Sequence, residues 1–232
     1  MRRIVICLLL LFITASPAGA CIGARYAGIG WCGVAVADGA TASYWNPAAL
    51  VWARNGFAYD NIYKRTAFAY KQGKYALHCC DEWDKIYFDI SRGFQLNENS
   101  AWGLSIGYHY AKYSFVTAYY RGIFPSVSYI HKITPNLNFG VLLQGLHNLR
   151  PGVCYQNKYF LLSIESYDLL SISVPAQFKI GIEFYPLDFL VLRTSFNDGV
   201  MKYGFGIKNQ KYSFDGFWDT NTLYIGISYY DY

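Results

Sequence analysis

The chain has 232 residues, of which 53% are hydrophobic, 19% aromatic and only 15% charged, against about 25% charged in ordinary globular domains. Its formal charge is +5, and loss of Arg2 and Arg3 with an export leader leaves 18 basic against 15 acidic residues, too weak and too dispersed a surplus to serve nucleic acid. Beyond the leader no stretch reaches the roughly 20 apolar residues of a membrane helix. An apolar, aromatic, exported chain without spanning helices points to strands facing lipid.

Residues 1–20 read as a secretory signal. Met1-Arg2-Arg3 is a basic start, Ile4 to Ile13 an apolar run, and Ala18-Gly19-Ala20 an A-x-A cleavage site. Cleavage before Cys21 opens a second reading, lipidation of that cysteine, although Ala18 stands where lipoprotein signals usually carry Leu. Cys21, Cys32, Cys79, Cys80 and Cys154 remain in the mature chain, an odd number that leaves one free or modified in an oxidising compartment. His78-Cys79-Cys80-Asp81-Glu82 has no second ligand pair at zinc-like spacing, so neither a metal nor a cofactor is expected.

Residues 21–54 are built from small side chains and contain Asn46-Pro47-Ala48. A proline after Asn46 forces that residue out of the α region and fixes a turn. The ordered set Gly23-Ala-Arg-Tyr-Ala-Gly-Ile-Gly, Val34-Ala-Val-Ala-Asp and Asn46-Pro-Ala-Ala-Leu50 resembles the N-terminal region of FadL/TodX-type outer-membrane barrels, and still more that of the PorV/PorQ family. A weaker likeness runs from Val174 to the end and includes Ile182-Glu-Phe-Tyr-Pro-Leu-Asp-Phe-Leu-Val-Leu-Arg193. The resemblance implies that residues 21–54 form a small plug inside or beneath a barrel. It also implies 14 strands, on a longer chain than this one.

Period-two alternation marks the strands. Phe178, Ile180, Ile182 and Phe184 share one face of their segment, and Gln177, Lys179, Gly181 and Glu183 the other. Similar alternation runs through Trp102 to Tyr108, Met201 to Ile207 and Leu223 to Tyr229. Candidate strands fall near 56–62, 66–72, 74–80, 85–92, 101–110, 112–119, 126–133, 137–147, 174–185, 188–196, 200–208, 211–218 and 222–231. Residues 148–172, opening on Arg150-Pro151-Gly152, read as a long loop with at most a short hairpin. The fold class is therefore all-β: an antiparallel transmembrane barrel over residues 55–232, of about 12 strands within a range of 10–14, with the plug ahead of it. Short turns, Tyr and Trp near strand ends and the final aromatic Tyr232 favour the membrane barrel over a soluble sandwich.

The inward face carries a charged cluster of Arg193, Glu183, Asp215 and Lys202. Turn lengths predict Glu183 opposite Val191, Arg193 opposite Gly204, and Gly204 opposite Asp215. Arg193 then reaches Glu183 or Asp215 over glycines. One reading is a constriction that steers a ligand; the other, favoured in a narrow bore, is an ion pair that helps fill it.

Two functions follow from the resemblance. A PorV/PorQ-type barrel implies an accessory of protein secretion or surface attachment, with secretion machinery or cargo as partner. A FadL-like barrel implies a channel for hydrophobic small molecules. Both place the chain in the outer membrane, in contact with its lipid. His78, His109, His131 and His147 lie on separate segments with no nucleophile motif, so no enzyme is expected.

Overall fold

A computed structural model describes residues 23–36, 38–61, 65–82, 85–112, 119–145, 148–167, 169–170, 176–197, 199–219 and 222–231. The leader and Cys21, with its possible lipidation, lie outside them.

Fourteen strands form one closed barrel, each antiparallel to its sequence neighbours, and β1 closes on β14. They are β1 (Asn55–Asn61), β2 (Arg65–Gln72), β3 (Tyr75–Glu82), β4 (Lys85–Gln95), β5 (Ser100–Lys112), β6 (Tyr119–Thr134) and β7 (Leu137–Gln144). The second half adds β8 (Asn148–Gln156), β9 (Phe160–Tyr167), β10 (Gln177–Leu187), β11 (Leu190–Asn197), β12 (Val200–Lys208), β13 (Tyr212–Asp219) and β14 (Thr222–Asp231). Alternation sets the faces. Phe178, Ile106 and Ile123 are 67%, 63% and 73% exposed on the outside, whereas Lys179, Glu183 and Arg193 are buried within. No edge is left unpaired, as lipid requires.

The total is the top of the predicted range and two above the favoured 12, and two local corrections account for it. Of the segment near 112–119, Lys112 closes β5 and Tyr119 opens β6, residues 113–118 lie outside the described residues, and 126–133 belongs to β6. Residues 148–167 are no loop, because they supply β8 and β9. Arg150-Pro151-Gly152 looks like a turn, but pairing of β8 with β9 begins only at Gly152, so Pro151 owes no donor on that side. In β9 the alternation is masked because Leu161 points inward and is fully buried against the plug.

The turns after β2, β4, β6, β8, β10 and β12 are short and lie at one mouth, together with the start of β1 and the end of β14, where Asn55 pairs with Asp231. This end of the barrel is termed the short-turn mouth.

Candidate functional site

The segment ahead of β1 packs inside the barrel. It comprises α1 (Ala24–Gly28), α2 (Ala42–Trp45) and a 3-10 turn over Pro47–Val51. Asn46 is fully buried and extended at φ −165°, the conformation that Pro47 imposes. Its Oδ1 accepts from the Ala48 N–H at 3.0 Å, and its Nδ2 donates to the Val34 carbonyl at 2.7 Å and the Tyr129 carbonyl of β6 at 3.2 Å. One amide thus caps the turn and ties two plug segments to the wall. Ala48 N–H also donates to Ser128 Oγ at 2.9 Å.

Glycines on the inward face mark where the plug touches the wall. A Cβ on Gly103 would overlap the Pro47–Ala48 peptide, one on Gly140 the Val34 carbonyl, and one on Gly181 the Ile29 carbonyl. Gly204 approaches Gly28, backbone against backbone. The inward Gly and Ser positions are therefore the imprint of the plug rather than weak points in strands. Further tethers run from Ser91 Oγ to the Ser43 carbonyl at 3.1 Å and from Val34 N–H to Glu165 Oε2 at 2.9 Å.

On the β10–β13 flank the contact is also ionic. Glu183 pairs directly with Arg193 across β10 and β11, and Arg193 Nε donates to Glu183 Oε1 at 2.7 Å. The predicted opposition of Glu183 to Val191 is wrong because the turn is the pair 188–189 rather than Pro186–Asp188, an offset that the bulge between Phe184 and Leu187 only partly takes back. Arg193 does face Gly204, but Gly204 opposes Phe217, and Asp215 opposes Gly206, because the β12–β13 connection is longer than Asn209-Gln210. Arg193 still reaches Asp215 Oδ1, at 2.7 Å.

Arg25 of α1 joins this cluster. Its Nε lies 2.8 Å from Glu183 Oε1 and its Nη1 2.7 Å from Asp38 Oδ1, giving an alternating chain Asp215–Arg193–Glu183–Arg25–Asp38. Burial alone would lower the Arg25 guanidinium; Asp38 and Glu183 more than offset it and hold it above its ordinary value. Lys202 lies on β12 with its Nζ 5.6 Å from the Phe217 ring. A separate buried pair, Arg150 with Glu165, bridges β8 and β9 beside the Trp45 ring, 5.0 Å from the Arg150 guanidinium.

Toward the opposite mouth the plug presents aromatic rings. Trp45 stacks on Tyr26 at 5.0 Å and on Trp31 at 6.1 Å, and Tyr44 meets Trp45 edge-on at 5.1 Å. Trp31 and Tyr44, with Tyr87 of the wall, also pack against the buried cluster that contains Phe217 and Tyr224, wall residues further from the short-turn mouth. Trp31 has φ 65°, the one left-handed non-glycine among the described residues. For a bulky side chain that conformation costs about 1–2 kcal/mol. It follows Gly30 at the end of α1, and its N–H donates to the Tyr26 carbonyl at 2.6 Å, a helix-ending bond that glycine would satisfy without strain.

Below the charged chain, a cavity of about 500 Å³ opens at the short-turn mouth, lined among others by Arg25, Asp38, Arg54, Glu183, Tyr185 and Lys208. On β3, His78 and Cys80 are buried while Cys79 points to the other face, so alternation splits the run that suggested metal ligands. No cluster of three His, Cys, Asp or Glu side chains suited to a metal occurs among the described residues.

Sequence reasoning misses Arg25, Asp38 and the Arg150–Glu165 pair. Arg25 lies inside the recognised N-terminal pattern, where the small residues dominate the signal. The Arg150–Glu165 pair is hidden when 148–172 is read as a loop.

A closed barrel with an internal N-terminal segment is a fold that solved channel structures share. The fold is similar to the toluene transporter TodX of Pseudomonas putida, at TM-score 0.62 and 9% identity over 93% of this chain and 99% of that one. It is similar also to the monoaromatic hydrocarbon channel CymD, at TM-score 0.61 and 11% identity over 91% and 98%. No protein-family model and no curated protein matches the chain. Identities this low establish the shared fold, and neither comparison supports placing the chain in the PorV/PorQ branch.

Proposed function

We propose that the chain is an outer-membrane channel that admits small hydrophobic molecules, with the aromatic layer above the plug as their first binding surface. The observation that carries this reading is Trp31. A strained backbone persists only where its surroundings hold it, and such strain gathers at functional sites. Here it sets an indole on the lumen side of the plug against the cluster of Phe217 and Tyr224, on which Tyr44 also packs. TodX and CymD, described as carrying toluene and monoaromatic hydrocarbons, support a flat apolar solute. Aromatic pairs contribute about 0.5–1.5 kcal/mol beyond the area they bury. The short-turn mouth is the periplasmic one, since barrels of this kind keep their short turns there.

Uptake into vesicles whose outer leaflet carries lipopolysaccharide, a barrier to hydrophobic solutes, tests the reading. Protein-bearing vesicles should take up p-xylene faster than empty ones, and Trp31→Gly should abolish the gain. Its stability should stay within about 1 kcal/mol, because relief of strain offsets the lost contacts. Equal uptake by the variant rejects the role of the aromatic layer.

The N-terminal pattern also favours a second reading, a PorV/PorQ-type barrel that docks exported proteins. The dense tethering of the plug suits a barrel that conducts nothing. Vesicles showing neither uptake nor ion conductance, with specific retention of a secreted partner, favour it.

A further inference from the structure

The lipid-facing rim beside the short-turn mouth carries a cation in an aromatic setting. Tyr75 opens β3 directly after the Gly73–Lys74 turn, and its cross-strand partner is Arg92 of β4. The Arg92 guanidinium lies 4.9 Å from the Tyr75 ring and 4.6 Å from the Phe94 ring. Phe94 is itself stacked on Trp102 of β5 at 4.3 Å. Arg92 is exposed, points away from the lumen, and has no carboxylate partner among the described residues. Immediately further into the barrel's outer face lie exposed Leu77, Ile90, Leu104 and Val127.

We propose that Arg92, held between Tyr75 and Phe94, binds the phosphate of a phospholipid in the leaflet at the short-turn mouth. Aromatic side chains of membrane barrels sit at the level of the headgroups, and the apolar strip beside Arg92 is where the acyl chains of that lipid lie. Stacking fixes the plane of the guanidinium and leaves its outward N–H groups for phosphate oxygens, which a guanidinium meets in a two-pronged fashion that an ammonium cannot reproduce. An unpaired guanidinium on a lipid-facing surface requires an anion, and the phosphate diester is the one that the bilayer supplies at this depth. The inference rests on the transmembrane barrel and is independent of what the lumen carries.

Native mass spectrometry of delipidated protein in detergent, titrated with phosphatidylglycerol or with diacylglycerol of the same chains, tests it. Wild-type protein should retain phosphatidylglycerol over diacylglycerol. Arg92→Gln should bind phosphatidylglycerol about fivefold more weakly, the factor that one cation contributes at an anionic lipid surface, and should lose the preference. Phe94→Leu, which keeps the charge, should fall between the two. Heat-modifiable migration on gels shows that each variant is folded. Undiminished phosphatidylglycerol binding by folded Arg92→Gln, or no preference in the wild type, overturns the proposal. Displacement of phosphatidylglycerol by millimolar inorganic phosphate assigns the site to free phosphate and overturns it equally.

Discussion

The two flanks of the plug are held by different physics. Against β4 to β7 the plug meets Gly103, Gly140, Ser91 and Ser128, and contact is backbone against backbone with neutral hydrogen bonds. Against β10 to β13 the plug keeps backbone contacts of Ile29 with Gly181 and Gly28 with Gly204, and adds an ion pair of Arg25 with Glu183, whose other partner is Arg193. The first flank depends on shape and fails when volume is added. The second depends also on charge balance and weakens when one member is removed. A plug held by shape alone has no preferred partner for the half-buried Arg25; one held by charge alone needs no glycines.

The largest expected effect comes from the charged flank. Glu183→Leu strips both Arg25 and Arg193 of their shared carboxylate, and loss of one partner of a buried pair costs about 3–5 kcal/mol. Denaturant unfolding of the folded barrel measures it. Next, Gly103→Val adds volume where none is free and should cost about 1–3 kcal/mol. Deleting residues 23–50 should relieve that cost and leave a folded barrel, which places the penalty in the plug contact rather than in the strand. Asn46→Ala removes one cap and two donations to carbonyls, for about 1–2 kcal/mol.

The barrel class is legible in the sequence because the outward face obeys one rule, apolarity, on every strand. The inward face obeys no such rule, since it answers to the plug point by point. Leu161 is apolar there because it packs on the plug, Gly181 is bare because Ile29 passes over it, and Glu165 is charged because Arg150 and the Val34 N–H need it. Alternation therefore breaks down at β8 and β9, and two strands look like a loop. Registers slip for a related reason: the placement of the β10–β11 turn at 188–189 and the longer β12–β13 connection leave no period-two trace. The Arg193 contacts are nonetheless within reach of sequence reasoning, because a long guanidinium tolerates a shift of register over neighbouring glycines. The partnership of Arg25 with Glu183 spans 158 positions and has no local signal.

A double-mutant cycle between Arg25→Leu and Glu183→Gln, read by denaturant unfolding of the reconstituted barrel, tests most directly whether charge locks the plug to the wall. Charge locking predicts a coupling energy of about 1–3 kcal/mol, as expected for residues that share one buried network. Single-variant costs that simply add would mean that Arg25 and Glu183 do not sense one another, and that the plug is held by shape alone.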